Sequence, residues 1–506
     1  MGIAIIHTRA GQGLEAPKVS VEVHLANGLP GFHLVGLAET AVKEARDRVR
    51  GALINSGFEF PAKRITVNLA PADVPKSGGR YDLPIALGIL AASGLLPEGC
   101  LSDVECIGEL GLTGDIRPIK GTIPAALMCH KDNKTLLLPV DNEHEAAMVS
   151  GLAFIAAQRL LDVYLHFTDK RLLTRHIAKP HHPSDTEHCQ AHWDDIIGQG
   201  AAKRALLIAA SGGHNILFVG PPGTGKSLLA SRLIELLPAM TLQEALSSAA
   251  IRSIKGEHID HSALFQRPFR QPHHTASAVA LIGGGTHPMP GEISLAHNGV
   301  LFMDELPEFG RQVLDVMREP LETGAVDIAR ASGSASFPAQ FQLVAAMNPS
   351  PTGDIDDGRS TPDQILRYLN RLSGPLLDRI DLQVDVPKLP DYVLPQITST
   401  HCDSAFEAKQ RVVATRQRQW QRQGKINQKL SSSELAHHCM MSEDDLNQVK
   451  QWCGQLKLSM RVFHRALKVA RTIADIDEAK RVTHKHVAEA LGFRALDKLI
   501  NQLNCD

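Results

Sequence analysis

The sequence is poor in aromatic residues and has almost no excess of charge. Aromatic residues make up 4% of the 506 residues, too few for the stacked aromatic platform on which many proteins bind single strands. The formal net charge is −2, whereas a chain that binds nucleic acid over its whole surface is usually basic. Any contact with DNA is therefore expected at a local basic patch or inside a ring.

The sequence also lacks paired cysteines and long apolar runs. Its eight cysteines never form a CxxC pair, and they are too sparse for a disulfide scaffold of this length. No stretch has the length and apolarity of a transmembrane helix. The N-terminus lacks the basic region and apolar run of a secretory signal. We expect a cytoplasmic protein that has no membrane partner.

The length and the apolar pattern indicate several domains, because 506 residues are too many for one hydrophobic core. Residues 1–170 mix strand-like and helix-like segments, which indicates an α+β domain. The strand-like segments are 19–25, 64–70 and 135–140. Strand and helix alternate over 193–390, as in a parallel sheet covered by helices. Residues 391–506 are mostly polar helix. The predicted fold class is α/β for the central domain, with a helical lid domain after it.

The segment 171–192 interrupts these patterns with Pro180, Pro183 and several histidines, and we interpret it as a linker. An alternative is a metal site, although the spacing matches no zinc template. The residues of that alternative site are His181, His182, His188, Cys189 and His192.

A nucleotide-binding loop is predicted at GPPGTGKS, residues 220–227, which matches the pattern GxxxxGK[ST]. The loop follows a strand-like segment at 214–220 and opens a helix-like segment at 227–237. Lys226 is expected to reach the β- and γ-phosphates of ATP, and Ser227 to place its hydroxyl on Mg²⁺. The predicted nucleotide-binding residues are Gly220, Pro221, Pro222, Gly223, Thr224, Gly225, Lys226, Ser227 and Leu228.

Two further apolar strands end in polar residues. GVLFMDEL at 299–306 ends in Asp304, which can complete the Mg²⁺ shell, and Glu305, which can polarise the attacking water. FQLVAAMNPSP at 341–351 presents Asn348, whose amide could hold that water. The alternative for Asn348 is a simple turn, since Asn-Pro is a turn signal.

GPLLDRIDLQVDV at 374–386 places Arg379 between two aspartates. Two interpretations are open. The arginine forms a surface ion pair of little energetic value, or it reaches the γ-phosphate of a neighbouring subunit as an arginine finger.

At these residues the chain resembles the Mg-chelatase-like AAA+ proteins of the ComM/YifB competence type, over essentially its full length. The resemblance is carried by the stretches at 21–53, 269–309 and 458–476. Arg461 lies where that clade has its sensor-2 arginine. The resemblance implies a homo-hexameric ring that holds ATP and Mg²⁺ at subunit interfaces. It also implies a branch-migration helicase that acts on branched or forked DNA during natural transformation.

Residues 1–170 also resemble the Lon protease fold, of the ribosomal S5 domain 2-like type. Lon peptidases need a serine activated by a lysine. When residues 1–170 are aligned with the Lon motifs, Arg80 lies near the serine position and Ile123 near the lysine position. Ser77 and Lys120 are close by. We expect that the peptidase dyad is lost.

The candidates for DNA contact are less defined. The run 411–430 is basic, which fits either a phosphate-binding helix or a solvated helix face. His273 and His274 fit either a structural or a functional role. Two alternative functions remain open, namely a motor subunit that drives Mg²⁺ insertion into a porphyrin and a protein-remodelling ATPase.

Overall fold

A computed structural model gives the fold of the chain. It describes residues 2–11, 13–36, 44–180, 193, 196, 198–285, 288–330, 333–355, 358–388, 405–455 and 459–503. Three groups of elements follow one another along these residues: a mixed α/β module, a parallel-sheet core and a set of helices.

The N-terminal module is built on a mixed sheet with the strand order β10-β9-β8-β5-β1-β2-β4-β3. Its strands are β1 (Gly2–Arg9), β2 (Lys18–Ala26), β3 (Gly31–Val35), β4 (Arg64–Ala70), β5 (Val104–Cys106), β6 (Glu109–Leu110), β7 (Ile116–Arg117), β8 (Thr135–Pro139), β9 (Ala153–Ala157) and β10 (Arg175–Ile177). Its helices are α1 (Ala45–Asn55), α2 (Asp82–Ala92), α3 (Thr122–Lys131), α4 (Glu143–Ala147) and α5 (Leu160–Phe167). The strands predicted at 19–25, 64–70 and 135–140 are confirmed as β2, β4 and β8.

The first part of the segment predicted as a linker contributes to this sheet, because β10 pairs antiparallel with β9. The three residues of β10 are too few to show a periodic apolar pattern, so the sequence did not reveal the strand. Residues 181–192, which include the ligands of the alternative metal site, lie outside the described residues.

The core that follows has a sheet in which every described neighbour pair is parallel, with the order β12-β15-β18-β11-β19. Its strands, with two hairpins inserted among them, are β11 (Ile216–Val219), β12 (Phe269–Arg270), β13 (Gly283–Gly284), β14 (Met289–Pro290), β15 (Val300–Met303), β16 (Ala325–Arg330), β17 (Gly333–Pro338), β18 (Gln342–Met347) and β19 (Leu382–Asp385). Its helices are α6 (Gly200–Gly212), α7 (Lys226–Leu236), α8 (Leu242–Lys255), α9 (Ala278–Ile282), α10 (Glu292–Leu295), α11 (Arg311–Val316), α12 (Arg318–Thr323), α13 (Pro362–Leu369) and α14 (Gly374–Leu377). The α/β class with a parallel sheet is thereby confirmed.

The central strands of this sheet are buried on both faces, which explains why they are continuous apolar runs. Because all five strands are parallel, their carboxyl ends lie at one edge of the sheet. Loops that leave those ends are brought together there.

The helices after the core are α15 (Ala405–Gln423), α16 (Ser432–Cys439), α17 (Glu443–Gln455), α18 (Met460–Ile476), α19 (His484–Gly492) and α20 (Ala495–Leu503). Helices α15 and α18 pack on α6 of the core. The chain then returns to the sheet, where Gln383 N donates to Phe493 O at 2.9 Å. Leu496 of α20 is fully buried among core residues such as Leu217 and Met347. The α15–α19 bundle is therefore anchored to the core at both of its ends.

The N-terminal module docks on the core through α3 and α8. Apolar side chains of the two helices share one buried cluster. Ser253, near the end of α8, accepts a hydrogen bond from Gly121 N at 2.9 Å through its carbonyl. Its Oγ accepts from Ile123 N at 3.3 Å, at the first turn of α3. Across the described residues, no helix is long and apolar enough to cross a bilayer.

Candidate nucleotide-binding site

The loop between β11 and α7 has a backbone that requires glycine. Gly223 and Gly225 have φ angles of +79° and +86°, in the left-handed region. A Cβ atom at either position would meet nothing within 4 Å, so the conformation and not space demands glycine. The loop starts from a buried strand and ends in the first turn of α7, whose N–H groups and helix dipole favour an anion.

Lys226 joins the loop to the end of the neighbouring strand β18. Its Nζ donates to the carbonyl oxygens of Gly220 and Pro221, both at 2.7 Å, and to Asn348 Oδ1 at 3.1 Å. Burial lowers the pKa of Lys226, and the nearby Asp304 carboxylate acts in the opposite direction. The ammonium therefore lies inside the curve of the loop, where phosphate oxygens can replace its present acceptors.

Ser227 and the acidic end of β15 are in direct contact. Ser227 Oγ donates to Asp304 Oδ2 at 2.9 Å, and Glu305 N donates to Asp304 Oδ1 at 3.0 Å. A hydroxyl and a carboxylate at this separation match the oxygen ligands that Mg²⁺ takes from proteins, with water and phosphate completing the shell. The loop and these groups thus fit a nucleotide and its Mg²⁺.

Glu305 lies beside this cluster in a conformation that is uncommon for glutamate, with φ at +51°. Its Oε2 is 3.1 Å from Nδ1 of His274, and its side chain is about half exposed. His273 lies next to His274, with ring centroids 4.2 Å apart, but hydrogen bonds to Thr275 instead. The sequence could not decide between a structural and a functional role for His274. The structure places its ring in contact with Glu305, the residue expected to activate the attacking water.

Arg379 and Arg461 lie elsewhere. Arg379 donates to Pro375 O at 2.6 Å and pairs with Glu322, while its buried Nε has no hydrogen-bond acceptor within the described part of the chain. Nη1 of Arg461 is 3.6 Å from Oδ2 of Asp378. Both arginines line a cleft of about 1280 Å³ between α12, α15 and α18, and none of the loop residues 220–228 lines it. The structure therefore does not bring either arginine to the loop of its own chain.

Glu322 is a partner that sequence reasoning missed. It belongs to α12, and neither its spacing nor its neighbours distinguish it from an ordinary surface glutamate. Only the tertiary contact between Glu322 and Arg379, which follows α14, reveals this pairing.

The basic run 411–430 is largely engaged within the chain. Side chains of this run that donate to carbonyl, carboxylate or amide oxygens of other elements are Arg416, Arg418, Arg422, Lys425 and Lys429. Arg422 has the firmest attachment, because its guanidinium binds both carboxylate oxygens of buried Asp475, at 2.5 and 2.9 Å. These contacts favour a packing role for the helix over a free phosphate-binding face.

The two positions aligned with the peptidase dyad are buried. The guanidinium of Arg80 donates to the carbonyls of Arg9 and Lys120. Ile123 is fully buried beneath the end of α8. An arginine and an isoleucine do not supply a serine–lysine pair. The loss of the peptidase dyad depends on this alignment and stays a prediction. The likeness of this module to the Lon fold itself stays a prediction.

The arrangement of loop, acidic strand and intervening strand defines a P-loop nucleotide-binding core. Comparison with known proteins then gives the family. A family described as "Magnesium chelatase, subunit ChlI" matches residues 192–394, "Subunit ChlI of Mg-chelatase" matches 21–142, and "Magnesium chelatase, subunit ChlI C-terminal" matches 403–494.

Individual relatives agree with these matches. The chain is 51% identical to the competence protein ComM of Haemophilus influenzae, with 100% of each chain covered. It is 50% identical to the uncharacterized protein YifB of Escherichia coli, with 99% of each covered. The 38 kDa subunit of magnesium chelatase from Cereibacter sphaeroides is 26% identical over 38% of this chain and 57% of its own. The chain belongs to the ComM/YifB family of Mg-chelatase-like proteins, as its sequence motifs indicate.

Proposed function

We propose that the chain is a Mg²⁺-dependent ATPase of the AAA+ type that works as a DNA motor in natural transformation. The observation that carries the ATPase proposal is the contact between Ser227 and Asp304 beside Lys226. It unites the loop and the acidic strand in one site. The competence role is proposed from the name of the Haemophilus relative, which the chain matches over its full length.

Each residue of the site has a defined task in this proposal. Lys226 exchanges its loop carbonyls and Asn348 for the β- and γ-phosphates of ATP. Ser227 and Asp304 hold Mg²⁺, whose charge neutralises phosphate oxygens when it is bound. Glu305 accepts a proton from the attacking water, and Asn348, released from Lys226, orients that water.

We further propose that Arg379 and Arg461 serve the ATP of a neighbouring subunit in a homo-hexamer. Both line a cleft that is separate from the loop of their own chain. The Nε of Arg379 lacks a hydrogen-bond acceptor among the described residues, so the guanidinium can take a further acceptor group. A γ-phosphate supplied across a subunit interface is such a group.

The motor substrate is proposed to be branched or forked DNA. Because the arginines of α15 are bonded within the chain, the more suitable contact is the exposed segment after β12, where His273, Thr275 and Ser277 are open to solvent. That segment also carries His274, so a polymer bound there would lie close to Glu305.

A chelatase motor is the second candidate, because the ChlI family description matches the core. The aligned magnesium-chelatase subunit, however, covers only 38% of this chain, whereas the competence relative covers all of it. We therefore prefer the DNA motor.

The test compares ATPase stimulation by forked DNA, by a porphyrin-loaded partner protein and by an unfolded protein. Forked DNA should stimulate turnover, and the other two should not. Glu305→Gln should keep ATP bound but abolish hydrolysis in every arm, because an amide does not accept the proton. Glu308→Gln, three residues further along and paired with Arg371, is the matched control and should keep its activity. Stimulation by porphyrin partner alone would contradict the DNA proposal, and full activity of Glu305→Gln would contradict the site.

A further inference from the structure

Asn215 is a buried amide at the base of the core sheet, opposite to the nucleotide-binding edge. It immediately precedes β11 and is only 4% exposed. Its Nδ2 donates to the main-chain oxygen of Arg379 at 2.8 Å. Its Oδ1 accepts from Leu343 N of β18 at 2.9 Å. The side chain therefore fastens the Arg379 segment to two central strands, and it uses both ends of its amide to do so.

The main chain of Asn215 reinforces this attachment. Its carbonyl accepts from Asp381 N and Leu382 N, both at 3.1 Å, where the segment that carries Arg379 enters β19. The backbone around Arg379 is thus held at three points by one residue, while its guanidinium is held separately by Glu322.

β11 connects this attachment to the nucleotide-binding loop. All four of its residues are buried, and it is bonded in parallel to β18 on one side and to β19 on the other. Its length is about 13 Å at 3.3 Å per residue. Because a short strand that is bonded on both sides is stiff, a displacement of Gly220 at one end can reach Asn215 at the other.

We propose that Asn215 is the positioning residue for Arg379 and links the arginine of each subunit to that subunit's own nucleotide loop. The inference rests on the proposed function, in which Arg379 acts on the ATP of a neighbour. In the ring, the loop and the arginine of one chain belong to two different ATP sites. Asn215 would then make the state of one site adjust the arginine that serves the next.

The inference predicts a specific defect for Asn215→Ala. Nucleotide affinity and KM should be unchanged, because no contact of the loop is removed. The kcat of the assembled protein should fall about 10-fold or more, since a catalytic group displaced by about 1 Å can lose that much. Because each loop would no longer adjust the next site, the Hill coefficient of turnover on ATP should also be lower than that of the unmodified chain.

Gln342→Ala is the matched control. Gln342 is also buried, and its side-chain amide also makes two hydrogen bonds. It donates to the carbonyls of Ala209 and His214 and makes no hydrogen bond to the Arg379 segment among the described residues. It should lose a similar amount of thermal stability and keep its kcat. If both variants lose kcat equally, Asn215 is merely structural and the inference is overturned.

Mixed rings give a readout that a general loss of stability would not produce. Subunits with Asn215→Ala have an intact loop and a misplaced arginine, whereas Lys226→Ala subunits have a disabled loop and an intact arginine. Mixing them should raise turnover per intact loop above that of the pure Asn215→Ala ring. No gain on mixing would overturn the inference. If the alanine variant does not fold, Asn215→Ser, which keeps a polar group in the space, is measured in the same way.

Failure of this inference is distinguishable from failure of the proposed function. If Arg379→Ala loses turnover and folded Asn215→Ala does not, only the role of Asn215 is overturned. If Arg379→Ala itself keeps full turnover, the arginine-finger proposal is wrong, and the inference falls with it.

Discussion

Lys226 shows at the scale of a single residue how the site is prepared. Its three acceptors are two loop carbonyls and the amide oxygen of Asn348, all of which attract a cation weakly compared with a triphosphate. Burial lowers its pKa, and the charge of Asp304 acts in the opposite direction. The side chain is therefore held inside the loop by weak acceptors that phosphate oxygens can displace.

Lys226→Ala should lose ATP affinity and reduce turnover to background, because the loop loses the charge that attracts the β- and γ-phosphates. Titration calorimetry and a phosphate-release assay measure the two effects. Ser231→Ala, at a half-buried position of the same helix whose hydroxyl bonds, among the described residues, only to Leu228 O, is the control and should behave as the unmodified chain. Unchanged turnover in Lys226→Ala would refute the site assignment.

The lowered pKa of His297 predicts how the free energy of unfolding depends on pH. The ring is buried, and its Nδ1 accepts from Gln340 N at 3.1 Å. Burial lowers its pKa from 6.5 to about 4, against a smaller opposing effect of Glu244. Because the folded pKa lies below the unfolded one, the stability from the neutral ring is complete above pH 6.5. It is lost as the pH falls from 6.5 through 4, at up to about 1.4 kcal/mol per unit.

His297→Asn keeps an acceptor for Gln340 N but does not titrate in this range. Its free energy of unfolding should depend less on pH between 6.5 and 4.5 than that of the unmodified chain. Urea denaturation at several pH values measures both curves. Parallel curves would show that His297 does not contribute to the acid sensitivity.

At the scale of elements, the sequence predicted several strands that alternate in polarity or lead into a motif. β2 and β4 alternate apolar and polar residues, and β11, β15 and β18 are short apolar runs that precede recognisable motifs. The hairpins β13–β14 and β16–β17 were not predicted. A strand of two residues has no period, and β16 and β17 are stabilised mainly by pairing with each other.

The sequence identified helix α15 by its basic side chains, but only the packing of the helix shows which groups those side chains bind. Burial alone would raise the pKa of Asp475, but the hydrogen bond from Arg422 and the charge of Arg471 hold it below its ordinary value. The arginine thus neutralises a buried carboxylate, and no pattern within α15 shows where α18 places that carboxylate.

Arg422→Glu should destabilise the helical bundle by about 3–5 kcal/mol, because it leaves Asp475 buried without this partner and adds a second negative charge. Chemical denaturation measures the loss. Lys450→Glu, which makes the same change of charge at an exposed position of α17, should cost little. If Arg422→Glu is stable and instead loses DNA affinity, α15 is a DNA-binding face after all.

At the scale of the whole molecule, the sequence predicted which residues meet at the nucleotide site but not where the arginines lie. Lys226, Ser227, Asp304 and Asn348 meet because parallel strands bring their carboxyl ends to one edge, which follows from motif order alone. The position of Arg379 depends on how α12, α15 and α18 enclose a cleft, and that geometry has no local signal.

A chain with a net charge of −2 can bind DNA only where its cations are concentrated, and the proposed ring would concentrate them. Affinity for forked DNA should be weak without ATP and stronger for Glu305→Gln assembled with ATP. It should fall steeply with salt, with a log–log slope of about −0.9 for each phosphate contacted. Fluorescence anisotropy over a salt series measures the slope. An assembled ring without affinity at low salt would leave the ATPase in place but remove the DNA motor.

The return of α20 to the core sheet also has a consequence for biosynthesis. Leu496 fills part of the same apolar cluster as residues of β11 and β18, yet it leaves the ribosome well over one hundred residues after them. At a synthesis rate of roughly 5–20 residues per second, that face of the sheet stays uncovered by α20 for many seconds. During synthesis the nascent core therefore exposes an apolar surface, which makes it a natural client for chaperones that bind such surfaces.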